Sequence, residues 1–458
     1  MASPGARAKQ LSPELTFVVI AGVCGSLLAV ISPPLRWGDE NTHLVQAYRL
    51  SELNFATSVA DGGMSVSLPR GVGKLMLVLA LEHRANPGGE SAGRLARMRA
   101  IEASPDDRRA VGLVSASYSP LSYAPPALGI ALARTFTRSV LLQIYGARLA
   151  NLSVWMLLVW TAIRTTPLFK LAFAVLALTP MSIFLAGSCA VDPLANGLAF
   201  LWSAWVIRLA VAQRPSWAIL ALLAPLAAAL ALVKLVYAPL VLLLLAVPAD
   251  RFGGWRARAA ATSAMLATSA LGVVAWVAYA RATIAAVIAY RGNAALAANR
   301  ALLIDDPPAV ARLVAEAVLH EGRSWVYQLS DTHWGSPMAP ELLLWLWLAA
   351  VVSATFAETR VGSWPALGQR GTALLASLMV FVSVALCAFL FWSREAGEIE
   401  GVQGRYAIPL LPALLIACCP PAHRPLTAGA RTLLARVAVA TVVAILAHTV
   451  YRGTQLYR

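Results

Sequence analysis

The chain has 458 residues, of which 59% are hydrophobic and 13% charged, a balance that excludes an ordinary water-soluble globular protein. A formal net charge of +15 would suit a nucleic-acid binder, but the Lys and Arg residues stand mainly in short connections between apolar runs, as in cytoplasmic loops. Those runs are roughly 15 to 22 residues long, against the ~20 that a helix needs to cross a bilayer, and predict an all-α polytopic integral membrane protein.

Residues 1–14 are short, polar and basic and predict a cytoplasmic tail. The run that follows, 15–33, comes after Arg7 and Lys9 as a signal peptide would. No clear small-x-small cleavage site precedes the double proline, so it reads as an uncleaved first span. It delivers SPPLRWGDENTHLVQAYRL, residues 32–50, in which Asp39 and Glu40 stand where a span emerges into water. A helix beginning at Asp39 would put Asp39 and His43 one turn apart on one face, beside Thr42 and Gln46, as the edge of a candidate active site. The same acids also suit a plain helix start, with Gly38 or Asp39 as N-cap.

Residues 34–139 form a long outer region with weakly amphipathic pieces near 39–53, 71–84 and 90–103. Its last part, YSPLSYAPPALGIALAR at 118–134, is nearly apolar but short and rich in proline. Arg164 with Lys170, Arg208 with Arg214, and Arg251 with Arg256 and Arg258 all fall on the cytoplasmic side only if 118–134 does not cross. It is therefore expected to be re-entrant or interfacial. Spans are expected near 140–163, 169–187, 193–210, 216–233, 235–249 and 260–281, then a second outer region over 282–340. Further spans near 341–357, 372–392, 406–420 and 433–450 bring the total to about eleven, with the C-terminus outside.

Polar residues that are costly near a membrane collect on the outer side. Asp192 lies in the turn GSCAVDPLANG with Pro193 next to it, which is also the pattern of an N-cap. Lys234, with Tyr237 after it, interrupts an apolar hairpin at another outer turn, where a lysine can also simply snorkel to the interface. Gln403, Arg405 and Tyr406 open the tenth span in EIEGVQGRYAIPLLP; the arginine can pair with Glu398 or Glu400, or hold a phosphate through its bidentate fork. Arg148 lies inside the second span and requires a partner or a polar cavity. In SDTHWGSPMAP, 330–340, Asp331, His333 and Trp334 suit a sugar or headgroup contact, and equally a wet loop anchored by an interfacial tryptophan.

The five cysteines, Cys24, Cys189, Cys387, Cys418 and Cys419, lack metal-ligand spacing and read as small packing residues. No Walker loop or Rossmann fingerprint appears, and no cytoplasmic connection could fold a nucleotide-binding domain, which argues against a nucleotide-sugar donor. Asp39, Glu40 and Asp192 with Lys234 and Arg405, all near one face, are groups that activate a hydroxyl and neutralise a phosphate, as glycosyl transfer from a lipid phosphate requires. No cofactor is established. A divalent metal among Asp39, His43, Asp192 and His333 stays open, although no ligand spacing supports it.

The PP...DE..H...AY segment, SYAPPALGIALAR, YGARLAN, SCAVDPLANGLAFL, KLVYAPL and above all GVQGRYAIPLLP run in order from about residue 31 to 415. Together they resemble a bacterial family of polytopic membrane proteins, domain-of-unknown-function family 2142, which is placed near the GT-C glycosyltransferases. The order of features is also similar to that of lipid A aminoarabinose transferases and protein O-mannosyltransferases. The resemblance implies a GT-C-like fold and inverting transfer of a sugar from a polyprenyl-phosphate donor to an envelope glycan, lipid or polymer acceptor. The transfer would take place on the outer face of a bacterial inner membrane.

It also implies Asp39 as catalytic base, Glu40 and Asp192 as supporting acids, and Lys234 and Arg405 as phosphate ligands. Apart from the resemblance, His43, Tyr237, Gln403, Tyr406, Arg148, Asp331 and Trp334 read as candidate substrate or donor contacts. On this reading 15–281 is a catalytic membrane module that includes the outer loop 34–139, followed by the second outer region 282–340 and C-terminal helices over 341–458. The bilayer is a partner and nucleic acid is not. Two rivals remain: a transporter or flippase of lipid-linked sugars, and a non-catalytic subunit of an envelope-polysaccharide assembly complex.

Overall fold

Ser12 starts the first helix, α1 (Pro13–Ile31), by accepting a hydrogen bond from Leu15 N–H at 3.2 Å, and Pro13 sits in the first turn where no donor is needed. The helix stops before Pro33 and Pro34, whose rings exclude a helical residue in front of them. These coordinates come from a computed structural model, which describes residues 12–35, 39–55, 58–60, 63–85, 92–112, 118–291, 293–332, 341–358, 364–419 and 426–456.

The first outer region holds α2 (Glu40–Ser51), β1 (Ser58–Ala60), β2 (Gly63–Pro69), α3 (Arg70–Ala85), α4 (Ala92–Arg99) and β3 (Arg108–Gly112). The strands form a small antiparallel sheet in the order β1-β2-β3, an addition to a fold that is otherwise nearly all-α, as expected. Along β2, Met64, Val66 and Leu68 are buried in a common cluster with Val72, Leu75 and Leu79 of α3. The alternation covers one short strand only, too little to register against long helical runs. A 3-10 turn (Pro120–Tyr123) then leads into α5 (Ala124–Arg134). With 11 residues α5 is about 16 Å long, short of the ~30 Å hydrocarbon core.

The remaining elements are α6 (Val140–Thr165), α7 (Lys170–Ala177), α8 (Pro180–Ala186), α9 (Asp192–Val211), α10 (Trp217–Val233), a 3-10 stretch (Leu235–Ala246) and α11 (Trp255–Arg291). After them come α12 (Asn293–Asp305), α13 (Pro307–Tyr327), α14 (Glu341–Glu358) and α15 (Leu367–Cys387), which a π-helical turn carries on to Trp392. A 3-10 turn (Gly404–Leu410), α16 (Leu411–Cys418) and α17 (Ala428–Leu456) close the chain.

Among the described residues seven helices are long and apolar enough to cross a membrane: α1, α6, α9, α11, α14, α15 with its continuation, and α17. The other four expected spans fall on shorter pieces. They are α10, the 3-10 stretch 235–246, the segment 404–418, and the pair α7 and α8, divided where Thr179 caps α8 ahead of Pro180. Helix α9 is buried around nearly its whole surface, packed among α6, α8, α10 and α16.

The bundle has two unlike poles. At one, Lys170 Nζ meets Glu14 Oε1 at 2.6 Å, Arg208 reaches Thr165 O, and Arg251 reaches Leu209 O. Arg258 holds Leu245 O and Val247 O, and Arg431 holds Ala357 O. The four arginines occupy carbonyls at the C-terminal ends of helical segments that would otherwise lack donors. At the other pole lie the end of α1, the start of α6, the α8–α9 turn, the end of α10 and the 404–410 turn, and there the candidate site is built.

Candidate functional site

The pole is assembled around Arg148, a buried cation on α6. Its Nε and Nη2 donate to Glu40 Oε1 and Oε2 at 2.8 and 2.6 Å. Nη1 donates to Ala29 O and Ser32 O, and Nη2 also to Pro33 O. Glu40 in turn accepts from Leu35 N–H at 2.9 Å and Cys189 N–H at 3.1 Å. Burial alone would raise the Glu40 carboxyl, but the Arg148 charge and these bonds outweigh it and hold the group below the usual carboxylate range. One ion pair thus ties together the end of α1, the proline turn, the start of α2, α6 and the α8–α9 turn. Asn151 adds bonds to Ser188 O and Ala190 O in the same turn.

The knot decides where the neighbouring residues go. Asp39, immediately before Glu40, takes a left-handed conformation with φ +62°, which aspartate tolerates better than most residues. Its carbonyl accepts from His43 N–H and Thr42 Oγ1 and so starts α2, while its side chain makes no capping bond and stays 56% exposed.

Arg405 crosses from the far end of the sequence, and its Nη2 donates to Asp39 Oδ2 at 3.1 Å. Arg405 Nη1 lies 3.6 Å from Asp192 Oδ2, and Lys234 Nζ donates to Asp192 Oδ1 at 2.6 Å. Four charges from four separate segments therefore form one alternating chain, Asp39, Arg405, Asp192, Lys234. Only Asp39 among them is exposed.

Backbone geometry puts the two cations side by side. Lys234 lies between α10 and the following 3-10 stretch, where the Leu232 and Val233 carbonyls at the helix end accept from Ser119 Oγ and Ser122 Oγ. The piece 118–134 therefore seals the end of α10 just before the lysine. Gly404 allows the approach of Arg405, since a Cβ there would lie 2.0 Å from Trp325 O. Tyr406 lies under both cations, with Lys234 Nζ 4.6 Å and the Arg405 guanidinium 5.4 Å from its ring, and Trp392 stacks on it at 5.4 Å.

A second aromatic group borders the carboxylates. His43 Nδ1 lies 3.1 Å from Tyr123 Oη, and the rings of His43, Tyr118 and Tyr123 are mutually 5.7–6.4 Å apart. Burial pushes the His43 imidazole down to about 4, despite the opposing pull of Asp192 and Asp39, so it is neutral near pH 7. Burial likewise raises the Tyr118 phenol to about 12 and the Tyr123 phenol well above its usual value, keeping both protonated.

The structure thus brings together Asp39, Asp192, Lys234, Arg405, Tyr406 and His43, with Tyr237 buried within electrostatic reach of Lys234 and Asp192. It corrects three expectations. Asp192 is no N-cap: it is the first residue of α9, Val191 precedes it in the cap position, and its carboxylate turns to the cations. Arg405 pairs with Asp39 and Asp192 in place of Glu398 or Glu400, and Glu400 accepts from Arg394 N–H. Glu40 and Arg148 are spent on each other and on backbone groups, so they position the site and leave nothing over for chemistry.

Gln403 and Asp331 flank the site. Gln328 Oε1 accepts from Gly404 N–H, which fixes the segment leading to Asp331 beside the Arg405 turn. His333 and Trp334 lie outside the described residues. Sequence reasoning missed Tyr118, Tyr123 and Trp392 as site residues. The paired tyrosines of YSPLSY beside the double proline were the available signal for the first two.

Among the described residues the donors do not fit a divalent cation. Asp39 and Asp192 are already neutralised by Arg405 and Lys234, and among the described residues no three His, Cys, Asp or Glu side chains cluster as ligands. What the arrangement offers is an accessible carboxylate, two fixed cations and an aromatic surround.

Residues 23–414 match the family model described as "Predicted membrane protein (DUF2142)". No curated protein and no solved structure matches the chain.

Proposed function

Because the chain belongs to the DUF2142 family of membrane proteins, we propose that it is a GT-C-type glycosyltransferase moving a sugar from a polyprenyl-phosphate donor to a cell-envelope acceptor. The observation that carries this reading is the charge chain itself. One exposed carboxylate at its outer end is followed inward by two buried cations held 2.6 to 3.6 Å from a buried carboxylate.

The bundle crosses a bacterial inner membrane about eleven times, counting the shorter apolar pieces, with the basic pole in the cytoplasm and the site outside. The basic groups at Lys170, Arg208, Arg251 and Arg258 support that orientation. The donor's isoprenoid stays in the lipid and its phosphate meets Lys234 and Arg405. An acceptor hydroxyl attacks the anomeric carbon from the face opposite the phosphate, which inverts the configuration. Its proton passes to an oxygen of Asp39, the only exposed carboxylate of the cluster. The bond between the anomeric carbon and the phosphate oxygen breaks, and the electron pair leaves with the polyprenyl phosphate. Lys234 and Arg405 stabilise the added negative charge.

Asp192 is too deeply engaged to act as a base and serves to hold the cations together. Tyr406, under both cations, keeps them from spreading apart.

The test is reconstitution of the wild-type protein in vesicles with polyprenyl-phosphate sugars labelled in the sugar, together with crude envelope acceptor. Transfer of label to acceptor with inverted anomeric configuration is expected. Movement of intact donor between leaflets without transfer would overturn the reading in favour of transport, and neither event would remove both.

A further inference from the structure

The charge chain ends at Lys234, but the polar face of α9 on which Asp192 stands continues inward. Positions 192, 196 and 203 of α9 fall within about 40° of one another around the helix, and they carry Asp192, Asn196 and Ser203. The other sides of α9 are taken: Gly197 abuts Leu158 of α6, and Trp202 Nε1 donates to Leu240 O of the 3-10 stretch.

Asn196 is 1% exposed, and among the described residues neither its Nδ2 nor its Oδ1 has a hydrogen-bond partner. The buried Tyr237 hydroxyl, on the 3-10 stretch that follows Lys234, also has none. An amide with both ends unmet is rare inside a protein and costs about 1–3 kcal/mol per orphaned group.

The chemistry of these groups selects a ligand class. A phosphate would satisfy the Asn196 Nδ2 donor and leave Oδ1 orphaned, because a phosphate diester offers acceptors only. An isoprenoid would satisfy neither. A group that both donates and accepts at adjacent atoms meets both ends of the amide and also the tyrosine hydroxyl, and the vicinal hydroxyls of a sugar are such a group. Asn196 lies one helical turn, ~6 Å, along α9 from the carboxylate that holds Lys234 and Arg405. That places the amide about one sugar ring away from the proposed phosphate position.

We infer that Asn196 and Tyr237 form a sugar-reading subsite that recognises hydroxyls of the lipid-linked glycosyl group and sets which donor is accepted. The inference rests on the proposed function for its geometry, with the donor phosphate at Lys234 and Arg405. A subsite of this kind discriminates by leaving its own polar groups unpaired when a hydroxyl is missing or inverted, which is worth up to 10⁴-fold or more between substrates.

The test measures binding to the purified full-length protein, with no transfer required. Probes are farnesyl phosphate and farnesyl phosphate carrying glucose, mannose or galactose, and binding is followed by isothermal titration calorimetry of the protein in detergent. For the wild type, one sugar-bearing lipid should bind at least tenfold more tightly than farnesyl phosphate and than the other two. In Asn196→Ala and Tyr237→Phe that preference should vanish while affinity for bare farnesyl phosphate stays within about twofold. Asn196→Leu, which fills the space, should exclude every sugar-bearing lipid and leave the bare one.

Equal binding of all four lipids by the wild type would overturn the inference and would mean that water alone meets these groups. A preference that survives all three variants would overturn it too. Failure of the wild type to bind any phosphate-bearing lipid would instead remove the proposed function on which the subsite rests.

Discussion

Two buried charge clusters lie at the same pole, and they are completed to different degrees. Around Arg148 nothing is left over: each Glu40 oxygen accepts one bond from the guanidinium and one from a backbone N–H, and the remaining Arg148 donors take three carbonyls. Around Asp192 much is left over. Its Oδ2 lies 3.6 Å from Arg405 Nη1 with no hydrogen bond, Asp39 is exposed, and the Tyr237 hydroxyl and the Asn196 amide lack partners among the described residues. A saturated buried pair fixes the chain around it; an unsaturated one retains capacity for a group that arrives. Under the proposed function the difference separates a structural cluster from a working one, although the two use the same residue types and lie close together in the fold.

Breaking the saturated cluster should give the largest loss of stability. Glu40→Gln removes the charge that matches buried Arg148, and a cost of about 3–5 kcal/mol is expected for one partner of such a pair. It would be read as a large drop in the unfolding midpoint of the purified protein in detergent, with activity lost only in proportion to folded protein. A variant that folds normally but has lost activity would put Glu40 back among the reacting groups.

The second effect is a pH dependence. The His43 imidazole titrates near 4 in the fold and near 6.5 when unfolded. Between these values the unfolded state binds the extra proton, so stability is full above pH 6.5 and falls as pH drops toward 4. The loss is about 3 kcal/mol at most across that window. His43→Gln should flatten this part of the curve of unfolding midpoint against pH, and an unchanged slope would contradict the burial of a neutral imidazole there.

Smaller again is Gly404→Ala, whose Cβ would collide with Trp325 O unless the turn moves. A loss of about 1–3 kcal/mol is expected from such overpacking. It should be accompanied by a weaker KM for donor, because the displaced turn carries Arg405.

Parts of this contrast could be read from the sequence and parts could not. Asp39, Asp192, Lys234 and Arg405 each stand near one end of an apolar run, so counting runs and basic connections is enough to gather them on one face. The partner of Arg148 could not be read, because Glu40 lies 108 residues away and the two are joined by tertiary packing alone. For the same reason Glu40 looked like a second catalytic acid beside Asp39. Adjacent residues at a helix start point in different directions, and the left-handed backbone at Asp39 parts them further.

Asp192 satisfied the local rule for an N-cap. It departs from that rule because two cations brought by distant segments offer its carboxylate more than one backbone N–H could. The small sheet was hidden by brevity, and Asn196 by its apolar neighbours in LANGLAF.

The most direct test of the account is the transfer rate of Asp39→Asn at saturating donor, measured on the preparation used for its unfolding midpoint and donor affinity. Asparagine keeps the size and can still accept from the buried Arg405, and the side chain at position 39 is itself exposed, so stability should change by only about 1 kcal/mol. The account predicts a folded protein that binds donor and has lost transfer by a factor of about 10² or more. Transfer at the wild-type rate would remove Asp39 as the base and with it the claim that the unsaturated cluster is the reaction centre.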